Sequence, residues 1–281
     1  MSNALRPSEG DALDAWRALV LADREQVSRI REPEPPTDHY AETAARFRAG
    51  VRAVPELESL VALAHPDDVW LDIGAGGGRI AIPLANAVQR VIAVEPSPAM
   101  REQLSASARD ARVENIEVRS TRWPDPSWDT PVSVALSAHS LYDIEDVGPF
   151  LDAMERHASR LCVVVLRPWA RGAHLADLFE AVHGEPMCTL PALREFVSVL
   201  GARGRTYEVR MSPAASSPRA AATQDPFIEV RRLLWLASGS EKDERMQELV
   251  GAWWAREHGI HVPVPPAGIG IVSWQPPNAA S

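Results

Sequence analysis

The sequence is poor in cysteine, in basic residues and in long apolar runs, and each shortage excludes a class of protein. Only two of the 281 residues are cysteines, so a disulfide framework and a zinc site built on Cys pairs are both excluded. The eight histidines have no metal-ligand spacing such as H-E-x-x-H. We therefore expect no bound metal, and we interpret Cys162, which lies within an apolar run, as a core residue.

Positive charge is scarce as well, because 29 Lys and Arg residues are outnumbered by 38 Asp and Glu residues, which gives a net charge of −9. Such a chain has no general attraction for phosphate backbones, so no nucleic acid is expected as a partner. The sequence also has no stretch of about 20 apolar residues and no cleavable signal with a basic start and an apolar middle. We expect no membrane partner and a location in the cytoplasm.

What stands out instead is a short apolar strand that runs directly into a glycine-rich turn. The turn contains four glycines, Gly74, Gly76, Gly77 and Gly78. Glycines leave main-chain N–H groups uncovered for a ligand and adopt positive φ angles at little cost. Asp72 precedes the turn, and Glu95 ends the next apolar strand 21 positions after Gly74, close to the roughly 20-residue spacing of a ribose-binding carboxylate. The joint spacing predicts that two ends of one nucleoside ligand bind here.

Other interpretations of the turn are disfavoured. A dinucleotide fingerprint, G-x-G-x-x-G, would need its third glycine at position 79, where the chain has Arg79. The carboxylate of Asp72 would also repel the phosphates of a dinucleotide. A P-loop needs Gly-Lys-Ser/Thr after the glycines, and the chain lacks it. A turn that only makes a tight corner does not account for the paired acids.

The pattern that fits is D-x-G-x-G-x-G followed by an acid at the tip of the next strand. In these residues the chain resembles the class I S-adenosylmethionine (SAM) dependent methyltransferases. The resemblance implies SAM as the cofactor, with the glycine turn against its methionine part and Glu95 on its ribose hydroxyls. The cofactor-binding residues that it implies are Asp72, Gly74, Ala75, Gly76, Gly78, Glu95, Pro96, Met100, Arg122, Trp123 and Ser137.

Some of these residues have a second interpretation. In the geometry of the resembled family Met100 would pack on the adenine ring, although a core role alone would explain it. Arg122 and Trp123 would flank the adenine from the segment after the third strand, whereas Trp123 could equally anchor its loop. Tyr40, ahead of the glycine turn, could close over the carboxylate of the cofactor.

The alternation of apolar strands and helices predicts an α/β fold with a doubly wound, mostly parallel sheet. The resemblance implies that this sheet has seven strands and ends in an antiparallel hairpin, so that its last strand is antiparallel. The predicted strands are 69–73, 90–95, 116–120, 132–137, 161–166, 206–211 and 269–274, and the predicted helices between them are 79–88, 98–110, 146–158 and 191–201. Residues 1–68 are predicted as an N-terminal helical cap, with helices at 14–30 and 40–52. Residues 69–281 are predicted as the SAM-binding domain, with a helical insertion at about 212–267.

The insertion, with predicted helices at 226–237 and 241–258, precedes the last strand. Ligands bind outside the carboxyl ends of parallel strands, so we expect the insertion and the N-terminal helices to cover the substrate. The large side chains of Val230–Leu236, Trp253 and Trp254 could line an apolar pocket or pack as ordinary helices do.

Methyl transfer by SN2 displacement needs in-line alignment, exclusion of water and, for a hydroxyl or a protonated amine, a base. The best candidate for the base is His139, where the fourth strand leaves the sheet beside the expected methyl position. Its ordinary pKa of about 6.5 suits proton removal at neutral pH, and Asp143 could orient it if the segment turns helically. The alternative is that His139 only shapes the pocket. Tyr142, His174 and His183 are weaker candidates.

These features favour a methyltransferase of the EC 2.1.1 type that acts, without a metal, on an O or N atom of a small-molecule acceptor. The exit of the fourth strand lacks both the Asn/Asp-Pro-Pro-aromatic tetrad of enzymes that methylate nucleic-acid bases and the acid that holds magnesium in catechol methylation. Two alternatives stay open: a noncatalytic SAM-binding or regulatory protein, and a nucleotide-dependent oxidoreductase. The sequence leaves open which acceptor is used and whether the chain forms a homodimer.

Overall fold

The computed structural model describes residues 7–34, 37–38, 40–41, 43–50, 53–170, 172–213, 226–256 and 268–277. A seven-stranded sheet forms its centre. The strands are β1 (Val69–Ile73), β2 (Arg90–Val94), β3 (Ile116–Arg119), β4 (Val132–Ala138), β5 (Ala158–Leu166), β6 (Tyr207–Ser212) and β7 (Ile269–Trp274). Their order across the sheet is β3-β2-β1-β4-β5-β7-β6.

The direction of the strands confirms the predicted fold class. The neighbouring strands from β3 to β5 are parallel, whereas β7 is antiparallel to both β5 and β6. The strand order reverses between β1 and β4. At such a switch point the carboxyl ends of the strands leave a crevice in which ligands bind.

Helices flank the sheet. In the described ranges they are α1 (Glu9–Ile30), α2 (Leu57–Val61), α3 (Ala81–Ala85), α4 (Pro98–Ala111), α5 (Val147–His157), α6 (Ala176–His183), α7 (Leu193–Ala202), α8 (Pro226–Leu233) and α9 (Glu241–Arg256). A capping box of Ser8 and Asp11 begins α1, and Ser97 caps α4 with Pro98 in its first turn. None of the described helices is long and apolar enough to cross a membrane.

Two cores lie on the two faces of the sheet because successive side chains of a strand point to opposite faces. Leu71 and Ile73 of β1 belong to the core with α1, α5 and α7. Trp70 belongs to the second core, with α2 and α3. Because of this alternation, Asp72 points to the same face as Trp70. It is the penultimate residue of β1, directly ahead of the glycine turn.

The predicted helix at 40–52 is wrong. Among its described residues only a 3₁₀ turn forms, at Ala44–Phe47, and α2 follows later in the chain. Arg48 pairs with Gly78 in an isolated antiparallel bridge, and Gly50 has a φ of +80°, which no α-helix contains. The tertiary bridge to the glycine turn therefore overrides the local helical propensity.

Other element boundaries differ from the predicted ones. The helix predicted at 79–88 is shortened to α3, because residues up to Ile80 still belong to the turn. The sequence did not predict α6, and β5 begins at Ala158, three residues earlier than predicted. The helix predicted at 226–237 ends at Leu233, shortly before Trp235 with its φ of +61°.

The described part of the insertion builds a small apolar core of its own. Buried Leu234 and Met246 join Ile30 of α1 and Phe179 of α6 in this core. Leu234, in the turn after α8, is therefore a core residue, which favours ordinary packing over a pocket lining. Residues 214–225 and 257–267 of the predicted insertion, and the side chains of residues 252–256, lie outside the described residues.

Candidate active site

The glycine turn joins β1 to α3 at the switch point of the sheet. The amides of Gly74 and Ala75 both donate to Val94 O, at 2.8 and 3.2 Å, which ties the turn to β2. Gly74 has a φ of +77°, and a Cβ there would lie 2.5 Å from the Cβ of Ser140. Glycine is required at this position both by the backbone angle and by the close approach of the segment after β4.

Asp72 is a buried acid at the end of β1. It is 2% exposed, and its Oδ2 atom has no hydrogen-bond partner among the described residues. Burial and, second, the charge of Glu95 raise the pKa of its carboxyl to about 7. An unpartnered buried carboxylate is destabilising, so a cationic group placed against Asp72 would be bound favourably.

Glu95 follows β2 and faces the turn from the other side. Its Oε2 accepts a hydrogen bond from Gly76 N at 2.8 Å, and its Oε1 accepts one from Ser97 N at 2.8 Å. Burial raises the pKa of Glu95, while the hydrogen bonds from Ser97 and Gly76 act in the opposite direction. Since an ionised carboxylate has about four acceptor sites, Glu95 can still accept from two hydroxyl donors of a ligand.

The described residues between 38 and 50 lie against the glycine turn and the start of α4. The carboxylate of Asp38 accepts hydrogen bonds from Ser97 Oγ at 2.9 Å and from Ala99 N at 3.2 Å. A Cβ on Gly77 would lie 2.7 Å from Phe47 O, so this segment comes into close contact with the turn. The ring of Tyr40 packs edge-on against the ring of Phe47 in the same segment.

The residues predicted around an adenine ring occupy two different environments. Met100, on α4, is buried, and its Sδ lies 3.8 Å from the position of a Cβ on Gly76. It therefore lines the glycine turn, and its contact with an adenine ring stays a prediction. Arg122 is exposed, as is Pro96, which is predicted to bind the cofactor without a stated contact, so a ligand can reach both of them.

Trp123 is buried in the core. Its Nε1 donates to Phe150 O at 3.2 Å, and its ring packs edge-on against Trp128. The ring of Trp123 is thus held by α5 on one side and by Trp128 of its own loop on another. These contacts anchor the loop. They support the alternative role of Trp123 as a loop anchor, and its contact with an adenine ring stays a prediction.

The exit of β4 is fixed to the end of β1 by two serines. Ser137 is fully buried, and its Oγ lies 2.9 Å from Ser140 Oγ, which donates to Ile73 O at 2.6 Å. Between them His139 has a φ of +59°, and its amide donates to Val165 O at 2.9 Å. Non-glycine residues in this conformation are uncommon and concentrate at functional sites.

His139 lies in a row of three hydrogen-bonded side chains. Its Nε2 is 3.2 Å from Oε1 of Glu56, and its Nδ1 is 3.2 Å from the hydroxyl of Tyr142. That hydroxyl accepts a hydrogen bond from Arg167 N at 2.8 Å. The acid that orients His139 is therefore Glu56. The predicted role of Asp143 is wrong, because the segment after β4 does not turn helically.

The charge states of the row follow from burial. Burial lowers the pKa of His139, against the hydrogen bond and the charge of Glu56. Burial raises the pKa of Glu56, but the hydrogen bond and the charge of His139, with a smaller effect of Arg79, outweigh it, so this pKa lies below its ordinary value. Burial raises the pKa of Tyr142 to about 12. At neutral pH the row thus consists of a carboxylate, a neutral imidazole and a phenol.

The other predicted histidines have different surroundings. His183 is part of the packing of the insertion, since its Nε2 donates a hydrogen bond to Leu234 O at 2.9 Å and its Nδ1 lies 3.3 Å from Lys242 Nζ. Burial lowers the pKa of His174, which lies in a 3₁₀ turn ahead of α6. Within the described ranges no group of three or more His, Cys, Asp or Glu residues is arranged to hold a metal ion.

Sequence reasoning missed two residues of the site, Glu56 and Asp38. Glu56 is 1% exposed and lies 83 positions before its partner His139, and Asp38 lies 59 positions before Ser97. Neither belongs to a recognisable motif. Only the packing of the N-terminal elements over the sheet brings them to the site, so no local signal could have identified them.

Comparison with known proteins supports the resemblance. A family model described as "Methyltransferase domain" matches residues 71–160, which include the glycine turn, Glu95 and the exit of β4. No curated protein matches the chain. Among solved structures, a SAM-dependent methyltransferase from Geobacter sulfurreducens in complex with S-adenosyl-L-homocysteine is similar at 15% identity and a TM-score of 0.56, over 88% of this chain and 99% of that one.

Two further structures have the same fold. A putative methyltransferase from an antibiotic biosynthesis pathway of Anabaena variabilis is similar at 21% identity and a TM-score of 0.56, over 82% of this chain and 99% of that one. A SAM-dependent methyltransferase from Thiobacillus denitrificans, also in complex with S-adenosyl-L-homocysteine, is similar at 16% identity and a TM-score of 0.53, over 83% of this chain and 96% of that one. Residues 71–160 therefore match a methyltransferase domain, and the chain shares its fold with solved SAM-dependent methyltransferases.

Proposed function

We propose that this chain is an enzyme that transfers a methyl group from SAM to an O or N atom of a small-molecule acceptor. The observation that carries the proposal is the pair of buried carboxylates on the two sides of the glycine turn. Asp72 has an unpartnered oxygen at the end of β1, and Glu95 has free acceptor sites at the end of β2. A ligand with a cation at one end and two neighbouring hydroxyls at the other end satisfies both.

The residues present fit SAM. The carboxylate of Asp72 suits the ammonium group of its methionine part, and Glu95 suits the ribose hydroxyls. The glycine turn leaves room for main-chain contact, while Met100 offers a buried apolar surface beside Gly76. When bound, SAM supplies a methyl group on a positively charged sulfur. The nucleotide-dependent oxidoreductase loses support, since Arg79 replaces the third glycine and the family match is to methyltransferases.

The proposal of a small O or N acceptor rests on the exit of β4. His139 and Tyr142 offer a group that can take a proton from a hydroxyl or an amine there. No step of the proposed reaction uses a metal, because these residues supply the proton acceptor. A location in the cytoplasm and the lack of nucleic-acid and membrane partners remain predictions from composition and charge.

The alternative is a noncatalytic SAM-binding or regulatory protein with the same fold. Both ring nitrogens of His139 are engaged by neighbouring side chains, which is also what a purely structural histidine would show. The alternative predicts that SAM binds normally and that no acceptor is ever methylated.

Incubation of the purified chain with methyl-tritiated SAM separates these functions. Phenols, carboxylic acids and primary amines would be offered as acceptors, and the label in the acceptor and the S-adenosyl-L-homocysteine formed would be measured. The Glu95→Ala variant serves as the control for background transfer. Acceptor-dependent label that disappears in Glu95→Ala supports the enzyme. Tight binding of SAM without any transfer to this panel favours the noncatalytic protein.

A further inference from the structure

We propose that Glu56, His139 and Tyr142 form a proton relay in which the hydroxyl of Tyr142 is the catalytic group that meets the acceptor and Glu56 is the positioning residue. This inference rests on the proposed function, since it assigns the proton path of the methyl transfer. It goes beyond a simple histidine base, because it moves the point of contact with the acceptor from the imidazole to a phenol.

Hydrogen-bond directions in the row follow from the donors. The amide of Arg167 can only donate, so at 2.8 Å the Tyr142 oxygen accepts from it. The one proton of the Tyr142 hydroxyl is then available for Nδ1 of His139 at 3.2 Å. On the other side of the ring Glu56 is an acceptor when ionised, so Nε2 carries the proton. His139 is thereby held as the Nε2–H tautomer with Nδ1 as its acceptor atom.

In this arrangement His139 has no free nitrogen for an acceptor molecule. Tyr142 does have capacity, because its oxygen accepts one hydrogen bond and donates one, and a second lone pair remains. A hydroxyl or amine of the acceptor can therefore donate to Tyr142 without disturbing the row. A direct contact with His139 would first have to break one of its two hydrogen bonds.

The step balances without any further reactant. As the acceptor's proton moves to the Tyr142 oxygen, the original phenol proton moves to His139 Nδ1. The freed electron pair of the acceptor forms the new bond to the methyl carbon, and the electron pair of the broken carbon–sulfur bond stays on sulfur. The row ends as a phenol, an imidazolium and a carboxylate, and the imidazolium later returns its proton to water.

Glu56 is suited to stabilise that imidazolium. Its side chain is 1% exposed, its Oε1 accepts from His139, and its Oε2 has no partner among the described residues. Arg79 lies at 3.8 Å from Oε1, and Arg167 also acts on His139 from the segment after β5. The positive charges of both guanidinium groups disfavour the protonated imidazole of His139. The buried carboxylate of Glu56 is the group that stabilises it.

The decisive variant is Tyr142→Phe, since the two mechanisms give opposite results. A relay through Tyr142 predicts that turnover of the acceptor found with methyl-tritiated SAM falls by about 10² to 10⁴-fold, while the affinity for SAM stays within a factor of about two. A direct histidine base predicts equal or higher turnover, because Nδ1 becomes free. The matched control is Tyr207→Phe, which removes the hydroxyl of an exposed tyrosine on β6 and should change neither quantity.

Two companion variants test the other members. His139→Asn keeps a residue that tolerates the left-handed backbone and should lose turnover to the same degree as Tyr142→Phe. In Glu56→Gln the acid limb of the kcat/KM profile should move to lower pH, because the anion that favours the imidazolium is gone. A Glu56 that only supports the fold would leave the position of that limb unchanged.

An NMR measurement tests the row without any acceptor. In the full chain labelled with ¹⁵N-histidine, His139 is assigned by its loss in His139→Asn, and its two nitrogen shifts report the tautomer. We expect the Nε2–H tautomer at pH 7 and a changed Nδ1 shift in Tyr142→Phe. The Nδ1–H tautomer, or an unchanged shift, would overturn the relay. Failure of the wild-type chain to bind SAM would overturn the proposed function instead, so the two failures are distinguishable.

Discussion

The carboxylate of Glu95 accepts a hydrogen bond from the amide of Gly76 at 2.8 Å, which joins the end of β2 to the middle of the glycine turn. The bond places the acid beside main-chain groups that no side chain covers. It also explains why Glu95 stays ionisable although it is only 5% exposed, since Ser97 N donates to its other oxygen. The two halves of the candidate cofactor site are thereby one unit.

The raised pKa of Asp72 predicts a pH dependence of ligand binding. Its carboxyl has a pKa of about 7 in the free protein, and an ammonium group against it would lower that pKa. Binding of S-adenosyl-L-homocysteine should therefore release a proton below about pH 7, and the affinity should fall by up to about tenfold per pH unit there. Above about pH 8 the carboxylate is already ionised and no release is expected.

Calorimetry in two buffers of different ionisation enthalpy measures this proton release. The same series on Asp72→Asn corrects for the ionisation of the ligand itself. The variant should bind more weakly at pH 8 and release no proton at pH 6. Equal proton release in both proteins would show that Asp72 does not face the ammonium group.

The close contact between Gly74 and Ser140 predicts a large effect of Gly74→Ala on stability. The left-handed φ of +77° costs an alanine about 1–2 kcal/mol, and a Cβ at 2.5 Å from Ser140 Cβ adds an overpacking cost of about 1–3 kcal/mol. The control is Gly204→Ala, with a φ of +68° and no atom within 4 Å of the added Cβ. Urea unfolding should show a clearly larger loss of unfolding free energy for Gly74→Ala. Equal losses would contradict the close approach.

The burial of Trp123 predicts that this residue affects stability rather than cofactor affinity. Trp123→Phe keeps an aromatic ring beside Trp128 but removes the hydrogen bond to Phe150 O. The loss should lower the free energy of unfolding by about 1–3 kcal/mol. The dissociation constant of S-adenosyl-L-homocysteine, measured at a temperature where both proteins are folded, should stay within a factor of about two. A tenfold weaker affinity would instead support the predicted contact between Trp123 and the adenine ring.

The parts of the site that the sequence predicted well are those encoded within one strand–turn–helix unit. The strand 69–73 was identified with the bounds that β1 has, because an apolar run followed by glycines is a strong local signal. The apolar run at Ile269–Trp274 is also a local signal for a strand, whereas its antiparallel direction is what the resemblance implies. Both signals depend only on neighbouring residues.

What could not be predicted depends on contacts between distant segments. The residues 40–52 have helical propensity, yet Arg48 bridges to Gly78 and the helix does not form. The row of Glu56, His139 and Tyr142 contains only one partner that is near His139 in sequence. Trp123 illustrates the same point, since its position after β3 does not reveal its hydrogen bond to Phe150 O of α5.

The central claim is that Asp72 and Glu95 form one SAM site across the glycine turn. Its most direct test is calorimetric titration of the wild-type chain with SAM, S-adenosyl-L-homocysteine and NAD, repeated on Glu95→Ala and on Glu102→Ala, an exposed acid of α4. We predict micromolar binding of the first two ligands and none of NAD, with a loss of about 1.5–3 kcal/mol in Glu95→Ala and no loss in Glu102→Ala. Binding of SAM that is unchanged in a folded Glu95→Ala variant would contradict the account.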